Sequence, residues 1–201
     1  MLSHSLNNMS NESKIVFMGD SDVGKTTIVQ RCLSIGVMDQ PTIGVAFYRK
    51  VVQILNKDII LNIWDTSGQE RYNSLSKTYT RGAICAVVVF DVTNLQSFES
   101  LKMWKNTIDN FHIPHCIIIG NKTDKNKHLI TEVDIKHWCL ENGADAYFLG
   151  SALNNEGIKE LVENLAIMVA GSNTDSQSYG TMNNKSFKLE ADKQKVDSCN
   201  C

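Results

Sequence analysis

The chain has 201 residues, of which 42% are hydrophobic and 21% are charged, a length and composition typical of one globular domain with a tail. The formal net charge of −2 at pH 7 provides no general attraction for polyanions, so nucleic acid is not an expected partner. The longest apolar run, residues 83–90, is far shorter than the ~20 residues that a membrane-spanning helix needs.

Residues 1–13 are polar and rich in Asn and Ser, and we expect them to form a short disordered arm. They show neither a secretory signal pattern nor the Gly that myristoylation needs at position 2. Single cysteines lie within later apolar segments, which favours reduced core residues in the cytosol over a disulfide framework. These cysteines are Cys32, Cys85, Cys116 and Cys139.

The first predicted strand, 14–18, is followed at once by the phosphate-loop pattern G-x-x-x-x-G-K-[ST], at 19–26. Its glycines let successive backbone N–H groups point at phosphate oxygens, and a helix beginning near Lys25 adds its positive end. Lys25 would place its charge at the outer phosphates, and the hydroxyl of Thr26 is a ligand for Mg²⁺. The predicted phosphate-binding residues are Asp20, Ser21, Asp22, Val23, Gly24, Lys25, Thr26 and Thr27.

Residues suited to a metal and to an attacking water follow further along the chain. The hydroxyl of Thr42 would complete the Mg²⁺ shell only while a γ-phosphate is bound, so its segment would sense the nucleotide. The third strand leads into Asp65, which would hold Mg²⁺ through water, and then into Gly68, whose N–H can approach the γ-phosphate. The amide of Gln69 would orient the attacking water. We predict Lys25, Thr42 and Gln69 as the catalytic residues.

The fifth predicted strand leads into residues 121–124, Asn-Lys-Thr-Asp, at the sheet edge where ligands of open α/β folds bind. The carboxylate of Asp124 offers only acceptors, which match the adjacent N1–H and 2-amino donors of guanine but not adenine. Asn121 either binds the base edge or ties neighbouring loops together, and the stem of Lys122 can lie flat on the ring. Backbone N–H groups of the Ser151-Ala152-Leu153 loop are expected to meet the guanine oxygen.

Between residues 14 and 170 short apolar runs alternate with amphipathic segments, which indicates an α/β domain with a mostly parallel sheet. Only residues 56–58 join the second and third strands, so this pair must be antiparallel and the sheet mixed. Residues 171–201 are polar and predicted to form a flexible tail. The predicted strands are 14–18, 45–55, 59–64, 84–91, 115–120 and 146–149, and helices are expected after Lys25, Asn94, Thr131 and Asn155.

These motifs resemble those of the Ras-like small GTPases over roughly residues 14–170, and within them the Rab family. Residues 43–47 resemble the Rab block IGVDF, 64–72 resemble WDTAGQERY, 79–83 resemble YYRGA and 90–93 resemble VYDIT. The resemblance implies a P-loop NTPase of the Ras-like G-domain fold, with six strands, one of them antiparallel, and helices on both faces. It also implies GTP hydrolysis with Mg²⁺ as cofactor, slow by itself and stimulated by an activating protein.

The C-terminal Cys199-Asn200-Cys201 resembles the Rab C-x-C ending that receives two geranylgeranyl groups. One lipid alone gives only marginal membrane binding, so both cysteines would be needed. The resemblance implies a switch in vesicle traffic at the cytoplasmic face of intracellular membranes, with a cytosolic pool. The implied partners are guanine nucleotide, an exchange factor, an activating protein, effectors, an escort protein and a GDP-dissociation inhibitor.

Several positions depart from the Rab pattern. Ala46 stands where Rabs usually have Asp, Ser67 where they have Ala, and Leu153 where they have Lys. The segment 25–42 is shorter than in most Rabs and has no aromatic side chain to cover guanine, so we expect faster GDP release. A slowly cycling or nucleotide-locked binding module is a second interpretation. A small-molecule kinase with the same phosphate loop is a third, but it would leave Asp124 unexplained.

Overall fold

The computed structural model describes residues 12–36, 44–66 and 80–172, in which six strands form one sheet with the order β2-β3-β1-β4-β5-β6. The strands are β1 (Glu12–Met18), β2 (Val45–Ile54), β3 (Lys57–Thr66), β4 (Ala83–Asp91), β5 (His115–Asn121) and β6 (Ala146–Leu149). The helices of the described residues are α1 (Lys25–Cys32), α2 (Leu95–Glu99), α3 (Leu101–Asn110), α4 (Glu132–Asn142) and α5 (Ile158–Ser172).

The strand pairing confirms the predicted mixed sheet. β1 lies between β3 and β4 and is parallel to both, β5 pairs in parallel with β4 and with β6, and β2 is antiparallel to β3. The connections explain this arrangement, because helices cross between the later parallel strands whereas β2 and β3 are joined by a tight turn. The six-stranded sheet with one antiparallel strand agrees with the fold that the resemblance implied.

Helices cover both faces of the sheet, so its central strands are buried on both sides. In β1, Ile15 and Phe17 pack in the cluster that α1 and α5 cover, whereas Val16 and Met18 pack in the cluster that α3 and α4 cover. All four side chains are buried. Near-continuous apolar runs are typical of such parallel strands, which explains why β1, β4 and β5 were readily recognised in the sequence.

The turn between β2 and β3 differs from the prediction. It consists of Leu55 and Asn56, whose φ angles are 47° and 62°, so the predicted three-residue link at 56–58 was wrong. A two-residue turn with positive φ at both positions matches the right-handed twist of the strands, and this geometric requirement overrides the preference of Leu for negative φ.

Two of the expected helices also differ from the expectations. The last helix begins at Ile158 rather than directly after Asn155, because Asn155 and Gly157 have φ angles of 64° and 72° and Glu156 forms a bridge with Ser151. The helix expected after Asn94 is divided at Ser100 into α2 and α3.

At the two ends, β1 starts within the predicted arm, and α5 includes the first two residues of the predicted tail, 171 and 172. No helix in the described part of the chain is both long and apolar enough to cross a membrane.

Candidate functional site

The predicted site residues that the structure describes meet at one edge of the sheet. Strands β1, β3, β4, β5 and β6 end there, so the phosphate loop and the loops that begin at Asn121 and Ser151 become neighbours. Side-chain hydrogen bonds connect these loops directly. Thr42, Gly68, Gln69, Cys199 and Cys201 lie outside the described residues.

The phosphate loop depends on two glycines with left-handed backbone. Gly19 has φ 137° and Gly24 has φ 96°. A Cβ atom at Gly19 would collide with the carbonyl oxygen of Val89, and a Cβ atom at Gly24 would collide with the side-chain amide of Asn121. At these two glycines the loop backbone therefore packs directly against β4 and β5, and Ser21 and Asp22 remain exposed at its outer turn.

Lys25 is the first residue of α1, and its ammonium group is buried within the loop. Its Nζ donates to the carbonyl oxygens of Gly19 and Asp20 at 2.9 and 2.8 Å. The N-cap residue of α1 is Gly24, which has no side chain that could cap the first turn of the helix. The cation and the positive end of the helix thus lie together, in an arrangement suited to bind phosphate oxygens.

The two described residues predicted to hold Mg²⁺ are in contact. The hydroxyl of Thr26 donates to Oδ2 of Asp65 at 2.7 Å, and Asp65 is completely buried at the end of β3. The neighbouring Thr66 donates to the carbonyl oxygen of Phe17 at 2.8 Å, which fixes the end of β3 against β1. A hydroxyl and a carboxylate are hard oxygen donors of the kind that Mg²⁺ prefers, so this pair fits the metal.

Asn121 connects the phosphate loop to the loop after β6. Its Nδ2 donates to the carbonyl oxygen of Val23 at 2.8 Å, and its Oδ1 accepts from the backbone N–H of Ala152 at 3.0 Å. Of the two roles expected for Asn121, the structure contains the tie between loops. Because the side chain is buried and held at both ends, it fixes the distance between the phosphate loop and the loop predicted to bind guanine.

The ammonium group of Lys122 is also held in place, and one of its two partners, Asp91, was not predicted as a site residue. Its Nζ donates to the carbonyl oxygen of Asp22 at 2.6 Å and lies 2.8 Å from Oδ2 of Asp91, at the end of β4. Burial alone would raise the pKa of Asp91, but hydrogen bonds from Lys122 and Thr93 outweigh it and hold the pKa below its usual value. An ionised Asp91 therefore fixes the ammonium group, and with it the course of the lysine stem.

Asp124 is half-buried and is oriented by the loop after β6. The hydroxyl of Ser151 donates to Oδ1 of Asp124 and accepts from the backbone N–H of Asn154 at 3.1 Å. Ala152 is buried, whereas the side chain of Leu153 is 68% exposed. The carboxylate is therefore held through Oδ1 by a residue of the loop predicted to contact the guanine oxygen.

Arg31, in the last turn of α1, is a second residue that sequence reasoning missed. Its Nε donates to the carbonyl oxygen of Ala152 at 2.8 Å, and its Nη2 donates to that of Leu153 at 2.9 Å. These bonds hold the loop after β6 through its carbonyl oxygens, whereas Asn121 holds it through the N–H of Ala152. No local pattern marks Arg31, because its partners lie more than a hundred residues away in the sequence.

Comparisons with known proteins point to one family. The profile described as the Ras family matches residues 14–171. The Ras-related protein Rab-7a of Paramecium octaurelia is 34% identical over 176 residues, 83% of this chain and 85% of that protein. RABG3b of Arabidopsis thaliana is 38% identical over 159 residues, 73% and 78% of the two chains. Rab-9B of Mus musculus is 34% identical over 154 residues, 72% and 76%.

Proposed function

The chain belongs to the Ras family and is a Rab-like small GTPase that binds guanine nucleotide and hydrolyses GTP, and we propose that it acts as a membrane-anchored switch in vesicle trafficking. The small-molecule kinase interpretation is thereby removed. The nucleotide site is supported by the two hydrogen bonds of Asn121, because they join the phosphate loop to the loop predicted to bind guanine. A rigid connection of this kind supports recognition of a phosphate group and a base by one site. The trafficking role is supported by the similarity to Rab proteins.

In this proposal residues 19–27 bind the phosphates, with Lys25 at the outer ones. Thr26 and Asp65 would hold Mg²⁺, together with Thr42 when a γ-phosphate is present. When bound, the metal neutralises the charge that develops on the phosphate oxygens during transfer. The contact between Thr26 and Asp65 supports this assignment, since it brings two oxygen donors to the start of α1.

Asp124 would recognise guanine through its N1–H and 2-amino donors, and the N–H groups of the loop at 151–153 would bind the guanine oxygen. Lys122 would cover the ring with its stem. The bonds from Ser151 to Asp124 and from Lys122 to Asp91 support these roles, because they fix both side chains in advance of binding.

Hydrolysis would use Gln69 to orient the attacking water, with Lys25 and Thr42 stabilising the transferred group and Gly68 contacting the γ-phosphate. The contacts of Thr42 and Gly68 that depend on the γ-phosphate would be lost on hydrolysis and would return when GTP binds again. Hydrolysis would thereby be coupled to a change of conformation. An exchange factor and an activating protein would set the rates of the two half-cycles.

Residues 14–170 would carry the switch, and residues 171–201 would tether it to the cytoplasmic face of an intracellular membrane through lipids on Cys199 and Cys201. An escort protein and a GDP-dissociation inhibitor would maintain the cytosolic pool. The described surface includes a candidate effector contact, because Phe47 is 55% exposed and packs edge-on against Trp64 at 5.4 Å. Exposed aromatic side chains of this kind are typical of protein interfaces.

The test is to purify the full chain, identify its bound nucleotide, and measure single-turnover phosphate release from GTP with and without Mg²⁺. We expect bound GDP or GTP and Mg²⁺-dependent release. Gln69→Leu should retain the nucleotide and slow release, whereas Gln53→Leu, at an exposed position of β2, should match the parent. Bound guanine nucleotide without turnover would support the locked-module alternative, and absence of bound guanine nucleotide would refute the proposed site.

A further inference from the structure

The second residue of the phosphate loop has a buried carboxylate that no role above explains. Asp20 is 9% exposed, and each of its carboxylate oxygens accepts a hydrogen bond from the α2–α3 region. Oδ2 accepts from the hydroxyl of Ser100 at 2.8 Å, and Oδ1 accepts from the indole N–H of Trp104 at 3.0 Å. Trp104 is 2% exposed, so this contact is shielded from water.

A carboxylate inside a phosphate-binding loop is unfavourable on two counts. Its charge repels the phosphates, and its burial removes it from water. Ser100 and Trp104 offset the loss of hydration by donating hydrogen bonds to the charged group. Ser100 is also the N-cap residue of α3, but its side chain caps none of the helix's own N–H groups.

Asp20 connects α3 to Lys25, the residue predicted to bind the outer phosphates. The side chain of Asp20 is bonded to Ser100 and Trp104, while its backbone carbonyl oxygen accepts from Nζ of Lys25 at 2.8 Å. Any shift of the Asp20 backbone would displace that carbonyl oxygen and alter where Lys25 directs its charge.

We propose that Asp20, Ser100 and Trp104 form an anchor that fixes the phosphate loop to α3 and positions Lys25 for the outer phosphates of the nucleotide. This inference rests on the proposed nucleotide site and adds three positioning residues to it. None of the three side chains touches the reacting atoms in this account. Their effect is on how long a nucleotide with at least two phosphates stays bound.

The experiment compares full-length parent, Trp104→Phe and Ser100→Ala for release of a fluorescent GDP analogue. Trp104→Phe keeps a buried ring and removes the N–H, and Ser100→Ala removes only a hydroxyl. Loss of a hydrogen bond to a charged group should speed GDP release roughly 10- to 100-fold if the loss acts on dissociation. Trp138→Phe is the matched control, since Trp138 is a half-buried tryptophan of α4 packed in the cluster beneath that helix.

A second measurement separates positioning from general damage to the fold. GMP lacks the outer phosphates, so the two variants should weaken GDP binding while leaving GMP binding, measured by competition, close to the parent value. Trp138→Phe should change neither. Equal losses for GDP and GMP, or unchanged GDP release in both variants, would overturn the anchor. A parent that fails to retain GDP would instead refute the nucleotide site itself.

Discussion

Asp124 accepts from Ser151 through Oδ1, and this geometry sharpens what a single substitution should do. In Asp124→Asn the amide oxygen can keep the bond from Ser151, so the amide NH₂ replaces Oδ2. A donor would then face the 2-amino group of guanine, whereas the 2-oxo group of xanthine would accept from it. We expect roughly a 100-fold loss of GDP affinity and a gain for the xanthine nucleotide.

Competition titration of GDP against xanthosine diphosphate measures this change. Asp109→Asn is the control, because Asp109 is an exposed residue of α3 paired only with Lys105 in the described structure. An unaltered preference for GDP in Asp124→Asn would mean that Asp124 does not recognise the base.

At the scale of residues, the sequence predicted the members of motifs but not the partners that hold them. Lys25, Asn121 and Asp124 could be predicted because each lies in a short pattern directly after a strand. Trp104 could not, since it is separated from Asp20 by 84 positions and its pattern is that of an ordinary core residue. Such pairs arise only when the sheet brings distant segments together.

At the scale of elements, the hairpin turn contains a residue that is poorly suited to its backbone. Leu55 has φ 47° and is 68% exposed, so its side chain gains little from burial while its backbone conformation is disfavoured. Leu55→Asn should raise the free energy of unfolding by about 0.5–1 kcal/mol, because Asn tolerates left-handed conformation. Urea unfolding at fixed GDP concentration measures it.

Leu129→Asn provides the comparison for this hairpin variant. Leu129 is 51% exposed, and its φ is not positive, so the same chemical change should give no gain in stability there. A loss of stability in Leu55→Asn would show that contacts of the leucine outweigh the strain of its backbone.

Elements were predictable where burial imposes a clear pattern and less so at their ends. β4 and β5 were recognised because both of their faces are buried. The sequence did not predict the division of the helix at Ser100, because the apolar pattern continues through this residue. The backbone of Ser100 also keeps helical φ and ψ angles of −63° and −17°. Its hydroxyl bonds to Asp20, a tertiary contact that no helical periodicity encodes.

At the scale of the whole molecule, attachment to a membrane is proposed to depend on both terminal cysteines. Replacing Cys199 and Cys201 together by Ser should leave the protein in the cytosolic fraction of cells that express it. Either single replacement should give weak, partial binding, because one lipid chain binds membranes only marginally. Ser198→Ala is the control and should fractionate like the parent. Firm membrane attachment of the double variant would contradict the lipid proposal.

The pH dependence of stability is a second property of the whole molecule, and buried thiols determine part of it. Burial raises the pKa of Cys32, Cys116 and Cys139 to about 12, and raises that of Cys85 well above its usual value. Below the pKa of an unfolded thiol, near ~8.5, both states carry the proton and stability does not change. As pH rises beyond it, the unfolded state loses protons first, so the stabilising contribution of each thiol is progressively lost.

Cys85→Ala isolates the contribution of one such thiol. The variant should be less stable than the parent at neutral pH, because a buried group is removed, but its stability should fall less steeply on the alkaline side. Between pH 7.5 and pH 10 we expect it to lose about 1–2 kcal/mol less than the parent, measured by urea unfolding at saturating GDP. Titration of the nucleotide itself affects both proteins equally and cancels in the difference. Val87→Ala removes a buried apolar group from the same strand and should run parallel to the parent across this range. Equal slopes for Cys85→Ala and Val87→Ala would show that the Cys85 thiol ionises as readily in the folded protein as in the unfolded chain.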